Sequence, residues 1–399
     1  MEQFTNIPFL LIFGIITVAL FMAGYVAKLL KFPSVLFYIL AGLLLGHFIY
    51  EDEALEVFSE LGLVFLFFYL GLEFNIVRAI NTAKRIWSVG ILDFLFNFGL
   101  IFLISKSLGF SLFQSVLIGG VAYASSSAIT TKIIVDNHRI ANPETELILG
   151  LMVFEDIVAP ILLAFISAVA LGGELSPLNF GFIILKVILV FTFAIGIAIF
   201  FKNHIANFID RFIEEEIFTL FSFGGLILFA GITQFIGLSE ALGAFLMGMI
   251  VSETGKSHDI EKIMFAIKDL AVAIFFFLFG ASIKFSSDID FSFVVFMFVI
   301  VIVSILGKFL TGFLGALIYG LSKRKAIETG LTIINRGEFS IAMSKFVPSN
   351  LLLFIGIYVL IMSFIGIITA QYAPKLAEKI IPKKKKKKKK KKVKTPKYI

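Results

Sequence analysis

Two adjacent carboxylates, Glu155 and Asp156, stand inside the apolar run Val153-Phe154-Glu155-Asp156-Ile157-Val158-Ala159-Pro160. An ionised side chain at membrane depth costs at least about 2.5 kcal/mol on insertion scales, so each acid there needs a partner, water or a use. Neighbouring helical residues point about 100° apart, so these two cannot share one partner, and at least one of them is expected to line a hydrated cavity. Such a carboxylate holds a proton or a dehydrated cation but not both at once, which makes Asp156 and Glu155 candidates for competitive ion binding. A structural ion pair without an ion-binding role is the alternative.

Lys308, in Val303-Ser304-Ile305-Leu306-Gly307-Lys308-Phe309-Leu310, is flanked on both sides by long apolar stretches. It is the natural counter-ion for Glu155; snorkelling to an interface is the competing account. Lys186, Glu73 and the Asp93/Asn97 pair are expected to snorkel or to serve helix packing.

Two apolar spans look interrupted. One passes from Gly119-Gly120 into Tyr123-Ala124-Ser125-Ser126-Ser127 before Thr130, and another contains Asn335-Arg336-Gly337-Glu338-Phe339-Ser340. Unwound backbone at that depth is tolerated only where protein or water surrounds it, and half-helix ends there offer partial charges to ions. Oxygens from Ser125 to Thr130, among them those of Ser126, Ser127 and Thr130, suit a hard monovalent cation, with Arg336 and Glu338 supporting the second broken helix. Serines that back-bond to their own helix would explain the first segment equally.

The elements that must hold these groups are legible in composition. The chain is 59% hydrophobic and only 16% charged, whereas soluble domains are about half apolar and about a quarter charged. Apolar runs of about 20 residues recur along it, each long enough to cross a bilayer as a helix. Their continuous apolarity excludes the alternating strands of a barrel. About thirteen transmembrane helices are expected, centred near Val18, Leu40, Phe67, Leu95, Val121, Ala159, Leu189, Leu226, Phe245, Phe276, Val303, Asn335 and Val359.

Lysine and arginine cluster in alternate connections, at Lys28 and Lys31, Lys84 and Arg85, Lys132 and Arg139, Lys202 and Arg211, Lys256 and Lys262, and Lys323 to Lys325. The opposite connections hold Glu51, Asp52, Glu53, Glu174 and Glu240, with Lys106, Lys284 and Lys345 as the few basic exceptions. The N-terminus is therefore expected outside and the C-terminus in the cytosol. The net charge of +7 resides in ten consecutive lysines, Lys383 to Lys392; the rest of the chain is slightly acidic. That tail, placed at residues 375–399, is expected to be disordered and to touch anionic lipid rather than nucleic acid. Residues 1–374 form the membrane domain. There is no cysteine, and no nucleophile sits in a catalytic arrangement, so an enzyme is not expected.

Ala41 to Gly46 is echoed by Gly243 to Gly248, and Phe67 to Gly71 by Phe276 to Gly280. Each pair lies seven spans apart, an odd number, which implies halves related upside down.

In order and spacing, Lys31-Phe32-Pro33 leading to Gly42 and Gly46, Leu70-Gly71-Leu72-Glu73-Phe74, Glu155-Asp156, Gly237-Leu238-Ser239 with Gly243-Ala244-Phe245, and Arg336-Gly337-Glu338-Phe339 resemble the monovalent cation:proton antiporter superfamily. The likeness is to its second branch, which includes Na⁺/H⁺ exchangers and the membrane domain of glutathione-gated K⁺ efflux antiporters. The resemblance implies an all-α Na⁺/H⁺ antiporter fold with two crossed broken helices. It also implies a homodimer whose core bundle moves against a dimerisation bundle, with the cation on Asp156. Relatives usually carry Asp, Asn or Gln where this chain has Glu155; a Glu155–Lys308 pair broken by a proton would add a second exchanged charge. The expected activity is exchange of Na⁺, with Li⁺ possible, for H⁺ across the cell membrane without a cofactor. K⁺/H⁺ exchange is the alternative and a cation channel a further one. Polylysine stands where K⁺ efflux relatives carry a nucleotide-binding domain, so built-in nucleotide regulation is not expected.

Overall fold

The computed structural model describes residues 8–30, 32–46, 53–171, 177–212, 217–283 and 291–382, and these are almost entirely helical. Lys31, His47, Glu51, Asp52, Glu174, Lys284 and the lysine run Lys383 to Lys392 lie outside the described residues.

The chain opens with α1 (Phe9–Leu30), α2 (Ser34–Leu45) and α3 (Glu53–Glu73). α4 (Ile76–Asp93) then runs through a π turn, Phe94–Gly99, into α5 (Leu100–Ser107). α6 (Leu112–Val121) starts on a capping box between Ser111 and Gln114, and α7 (Ser127–Asp136) starts on Ser126, whose side chain accepts the Ile129 N–H. Then come α8 (Pro143–Ala170), α9 (Pro177–Phe200), α10 (Lys202–Phe212), α11 (Ile217–Phe235), α12 (Glu240–Glu253), α13 (Ser257–Ser282) and α14 (Phe291–Ile318). The last elements are α15 (Lys323–Thr332), α16 (Glu338–Ser344) and α17 (Ser349–Ile380).

Among the described residues, nine helices are long and apolar enough to cross a membrane. Shorter helices α2 and α12, and the interrupted pairs α6–α7 and α15–α16, occupy the remaining expected positions, so helix stands at twelve of the thirteen centres and the thirteenth, Asn335, falls in the break between α15 and α16. Two features depart from expectation. The connection holding Lys202 and Arg211 is helical, because Ile205, Ile209 and Phe212 recur at helical spacing and Ile209 is buried. The last helix continues past residue 374 to Ile380, since Ala377 is buried and Glu378 reaches Arg324 at 3.4 Å.

Packing sorts the helices into two groups. α1, α2, α3, α11, α12 and α13 pack on one another, and α4 to α8 with α14 to α17 form the second group, while α9 touches both α8 and α12. Within the first group the repeated glycines explain the pairing. A methyl group added at Gly42 of α2 would land on the Phe277 carbonyl of α13, and one added at Gly280 would land on the Ile39 carbonyl of α2. Gly71 of α3 and Gly248 of α12 face the Phe245 and Phe68 carbonyls in the same way. The repeat relates α2 to α12 and α3 to α13, so it exchanges one contact for the other. Small residues let backbones approach this closely where lipid gives no hydrophobic drive between helices.

Candidate functional site

In the second group the two unwound segments, 122–126 and 333–337, cross and satisfy each other's polar groups. The Ser126 N–H donates to Asn335 Oδ1 at 2.8 Å, and the Ser125 hydroxyl donates to the Ile333 carbonyl at 2.9 Å. The Asn335 amide donates to Thr130 Oγ1 at 2.9 Å. Backbone freed from a helix in a dry setting must find such partners.

Glu338 opens α16, where the helix N-terminus favours an acid. It accepts from the Ser126 hydroxyl at 3.0 Å and the Ser127 hydroxyl at 3.5 Å, which ties it to the N-terminus of α7 as well. Arg336 is fully buried. Its Nε donates to the Tyr358 hydroxyl at 3.2 Å and its Nη1 to the carbonyls of Ile334 and Asn335 at 3.1 Å, while Tyr358 donates to Ser304 at 2.8 Å. Among the described residues no carboxylate pairs with it.

Glu155 of α8 is also fully buried and accepts the Ser125 N–H. Lys308 of α14 donates to Glu155 Oε1 at 3.0 Å and to Asp93 Oδ1 at 2.9 Å, and all three side chains are 0% exposed. The sequence placed Asp93 and Asn97 among packing or snorkelling residues; instead Asp93 is a second buried counter-ion. Asn97, in the π turn, donates to Asp93 Oδ1 at 2.9 Å and to the Asp93 carbonyl at 3.0 Å. Gly307 explains how Lys308 reaches this pair, because a methyl there would strike Asn97 Oδ1 and the Phe96 carbonyl. The lysine ammonium also stands 5.5 Å from the Tyr123 ring centre, within the range of a cation–π contact.

Asp156 is different. It is partly buried, and its carboxylate makes no hydrogen bond or ion pair among the described residues. The charged groups that act on it are the acids Glu338, Glu155 and Glu73. An acid facing acids attracts a proton or a cation and repels an anion. The one-residue offset expected from helical geometry is thus realised: Glu155 turns to Lys308 and Ser125, and Asp156 stays open.

All eight residues singled out by sequence sit at the crossing or on the helices against it. Glu155 and Lys308 form one pair, and Ser126, Ser127 and Glu338 form another contact set. Thr130 is engaged with Asn335. The sequence missed Asp93, Asn97, Ser125, Asn335 and Tyr358 as partners of these groups. Asp93 and Asn97 were separated by four residues in an apolar span, which is ordinary helical spacing, and nothing in that pattern announces a lysine on a helix far along the chain. Lys186 donates to the Ile236 carbonyl at 2.7 Å at the end of α11, a helix-packing role, and Glu73 is exposed at the end of α3.

The family description "Sodium/hydrogen exchanger, transmembrane" matches residues 16–374. The chain is 35% identical over 378 residues to the ammonium/H⁺ antiporter subunit AmhT of Alkalihalophilus pseudofirmus, covering 95% of this chain and 96% of that protein. It is 34% identical over 385 residues to the K⁺/H⁺ antiporter subunit KhtU of Bacillus subtilis, covering 91% and 93%. The solved structure of the sodium proton antiporter MjNhaP1 from Methanocaldococcus jannaschii shares the fold, with a TM-score of 0.67 at 21% identity over 94% of this chain and 100% of that one.

Proposed function

This chain belongs to the transmembrane sodium/hydrogen exchanger family, and from that premise we propose that it exchanges a monovalent cation for protons by competition at Asp156. It is a multi-pass membrane antiporter rather than a catalyst of covalent chemistry. One observation carries the assignment of Asp156. Of the four acids at the crossing, Asp93, Glu155 and Glu338 are each hydrogen-bonded or ion-paired, and Asp156 alone is open.

When the carboxylate gives up its proton, a cation takes the vacated charge, and neither ion occupies the site with the other. Oxygens of Ser126, Ser127 and Glu338 stand on the adjoining helices to replace part of the cation's hydration. The second group of helices carries the site and slides against the first, opening it to each side in turn; the separation of the two packing groups supports this. The functional unit is a homodimer in the plasma membrane, with the N-terminus outside, the C-terminus cytosolic and the lysine tail on anionic lipid. The basic residues in alternate connections support that orientation. Relatives named for ammonium and K⁺ at 34–35% identity support widening the expected cargo from Na⁺ to these larger cations.

Proteoliposomes loaded with a pH dye test the proposal. Adding Na⁺ or K⁺ to an acid-loaded preparation is expected to dissipate the pH gradient, and Asp156→Asn is expected to abolish the response. Native rates in Asp156→Asn would remove Asp156 from the exchange. Voltage-driven cation flux without proton movement would mark a channel instead.

A further inference from the structure

Lys308 is gripped by two acids rather than one. Asp93 and Glu155 both approach its ammonium within 3.0 Å, and all three groups are sealed from solvent. For Lys308 to release a proton during turnover, two buried carboxylates would have to stand side by side without their shared cation. Like charges at that separation in a dry interior repel strongly. The four fully buried charges at the crossing also balance. Asp93 and Glu155 contribute two negative charges, Lys308 and Arg336 two positive ones, and Arg336 has no carboxylate of its own among the described residues. Glu338 is held separately, by two serine hydroxyls and by the N-termini of α7 and α16. That leaves Asp156 as the one acid at the crossing whose charge changes hands.

We propose that Asp93, held by Asn97 in the π turn of the fourth span, is a positioning residue that keeps Lys308 protonated throughout the cycle and thereby fixes the exchange at one proton per monovalent cation. The proposal rests on the assignment of Asp156 as the exchanging carboxylate. The balance is simple: one H⁺ leaves the Asp156 carboxyl, one M⁺ binds the carboxylate, and the moving group of helices carries the same charge in both directions. It replaces the sequence-derived expectation that a proton breaks the Glu155–Lys308 pair and adds a second charge. With Asp93 present, protonating Glu155 still leaves Lys308 paired. The pair cannot be separated from its second anchor by one proton.

The test is to record charge movement on a supported membrane after a cation concentration jump, beside the pH-dye assay on the same proteoliposomes. Wild type is expected to exchange by the dye while giving no sustained transport current. Asp93→Asn leaves Lys308 with Glu155 alone and is expected to exchange with a current, positive charge moving with the protons. Asp93→Glu, which keeps the charge, is expected to exchange silently. A current in wild type of the size required by two protons per cation overturns the proposal, and so does an Asp93→Asn variant that exchanges silently. Should Asp93→Asn fail to fold, the wild-type and Asp93→Glu recordings still decide, since a current in either contradicts a fixed Lys308 charge. These outcomes differ from failure of the Asp156 assignment, which the dye assay on Asp156→Asn reports irrespective of current.

Discussion

At the seam where α3 meets α12, Gly71 and Gly248 bring two backbones together with no polar side chain between them, whereas segments 122–126 and 333–337 meet through amides, hydroxyls and carboxylates. Both regions achieve close approach. In the first, every backbone bond stays inside its own helix, and fit is a matter of shape. In the second, the helices are interrupted, so each freed N–H and carbonyl must be matched across the crossing, and buried charges gather where partial helix charges are exposed. The difference teaches where an ion can be handled. A dry glycine contact has nothing to offer a cation, and an unwound crossing has oxygens and half-helix ends to spare.

Three perturbations sharpen that contrast. The largest effect is expected at the crossing: Lys308→Gln leaves Asp93 and Glu155 buried without their cation and is expected to destabilise the fold by about 3–5 kcal/mol, read as a lowered thermal midpoint in detergent. An unchanged midpoint would mean that the ammonium reaches solvent. In the glycine seam, Gly42→Ala forces α2 away from the Phe277 carbonyl and is expected to cost about 1–3 kcal/mol, since overpacking is relieved only by backbone shifts. A variant as stable as the parent would show that the seam yields, and the contrast with the crossing would weaken.

The smallest effect concerns a contact between the two groups. Lys345, just after α16, donates to Glu240 at the start of α12 and to Glu60 of α3 at 3.1 Å. Burial pulls its pKa down, but the two carboxylates outweigh that and hold it above the ordinary lysine value. A group whose folded pKa is raised adds stability in full below its unfolded value of about 10.4 and loses it as pH climbs through the folded one. The thermal midpoint difference between wild type and Lys345→Met is therefore expected to be small and constant near neutrality and to shrink above about pH 10.5. A difference that persists unchanged into stronger alkali would show that packing of the lysine stem, not its charge, joins the groups.

Much of the fold was legible because lipid imposes length and apolarity on every span, and interruptions such as Gly119-Gly120 followed by Ser125-Ser126-Ser127 stand out against it. Glu155, Asp156 and Lys308 were visible for the same reason, as charges in the wrong solvent. Asp93 obeys the same rule yet reads as a packing residue in sequence, because its partner is supplied by a helix 215 residues away and reaches it through Gly307. The amphipathic α10 was missed since its apolar stripe is too short to register as a span. Which of two neighbouring acids stays open depends on what lies opposite each, and that is a property of the assembled helices.

The glycine seam has a mechanical meaning. Where α2 meets α13 and α3 meets α12, the touching glycines carry no χ angles, so at those points there is no alternative rotamer through which the interface could flex. Those four helices therefore act like a rail rather than a spring. In the proposed exchange cycle, the travelling group would move as a body along it, with the give supplied by connecting segments rather than by these helix contacts.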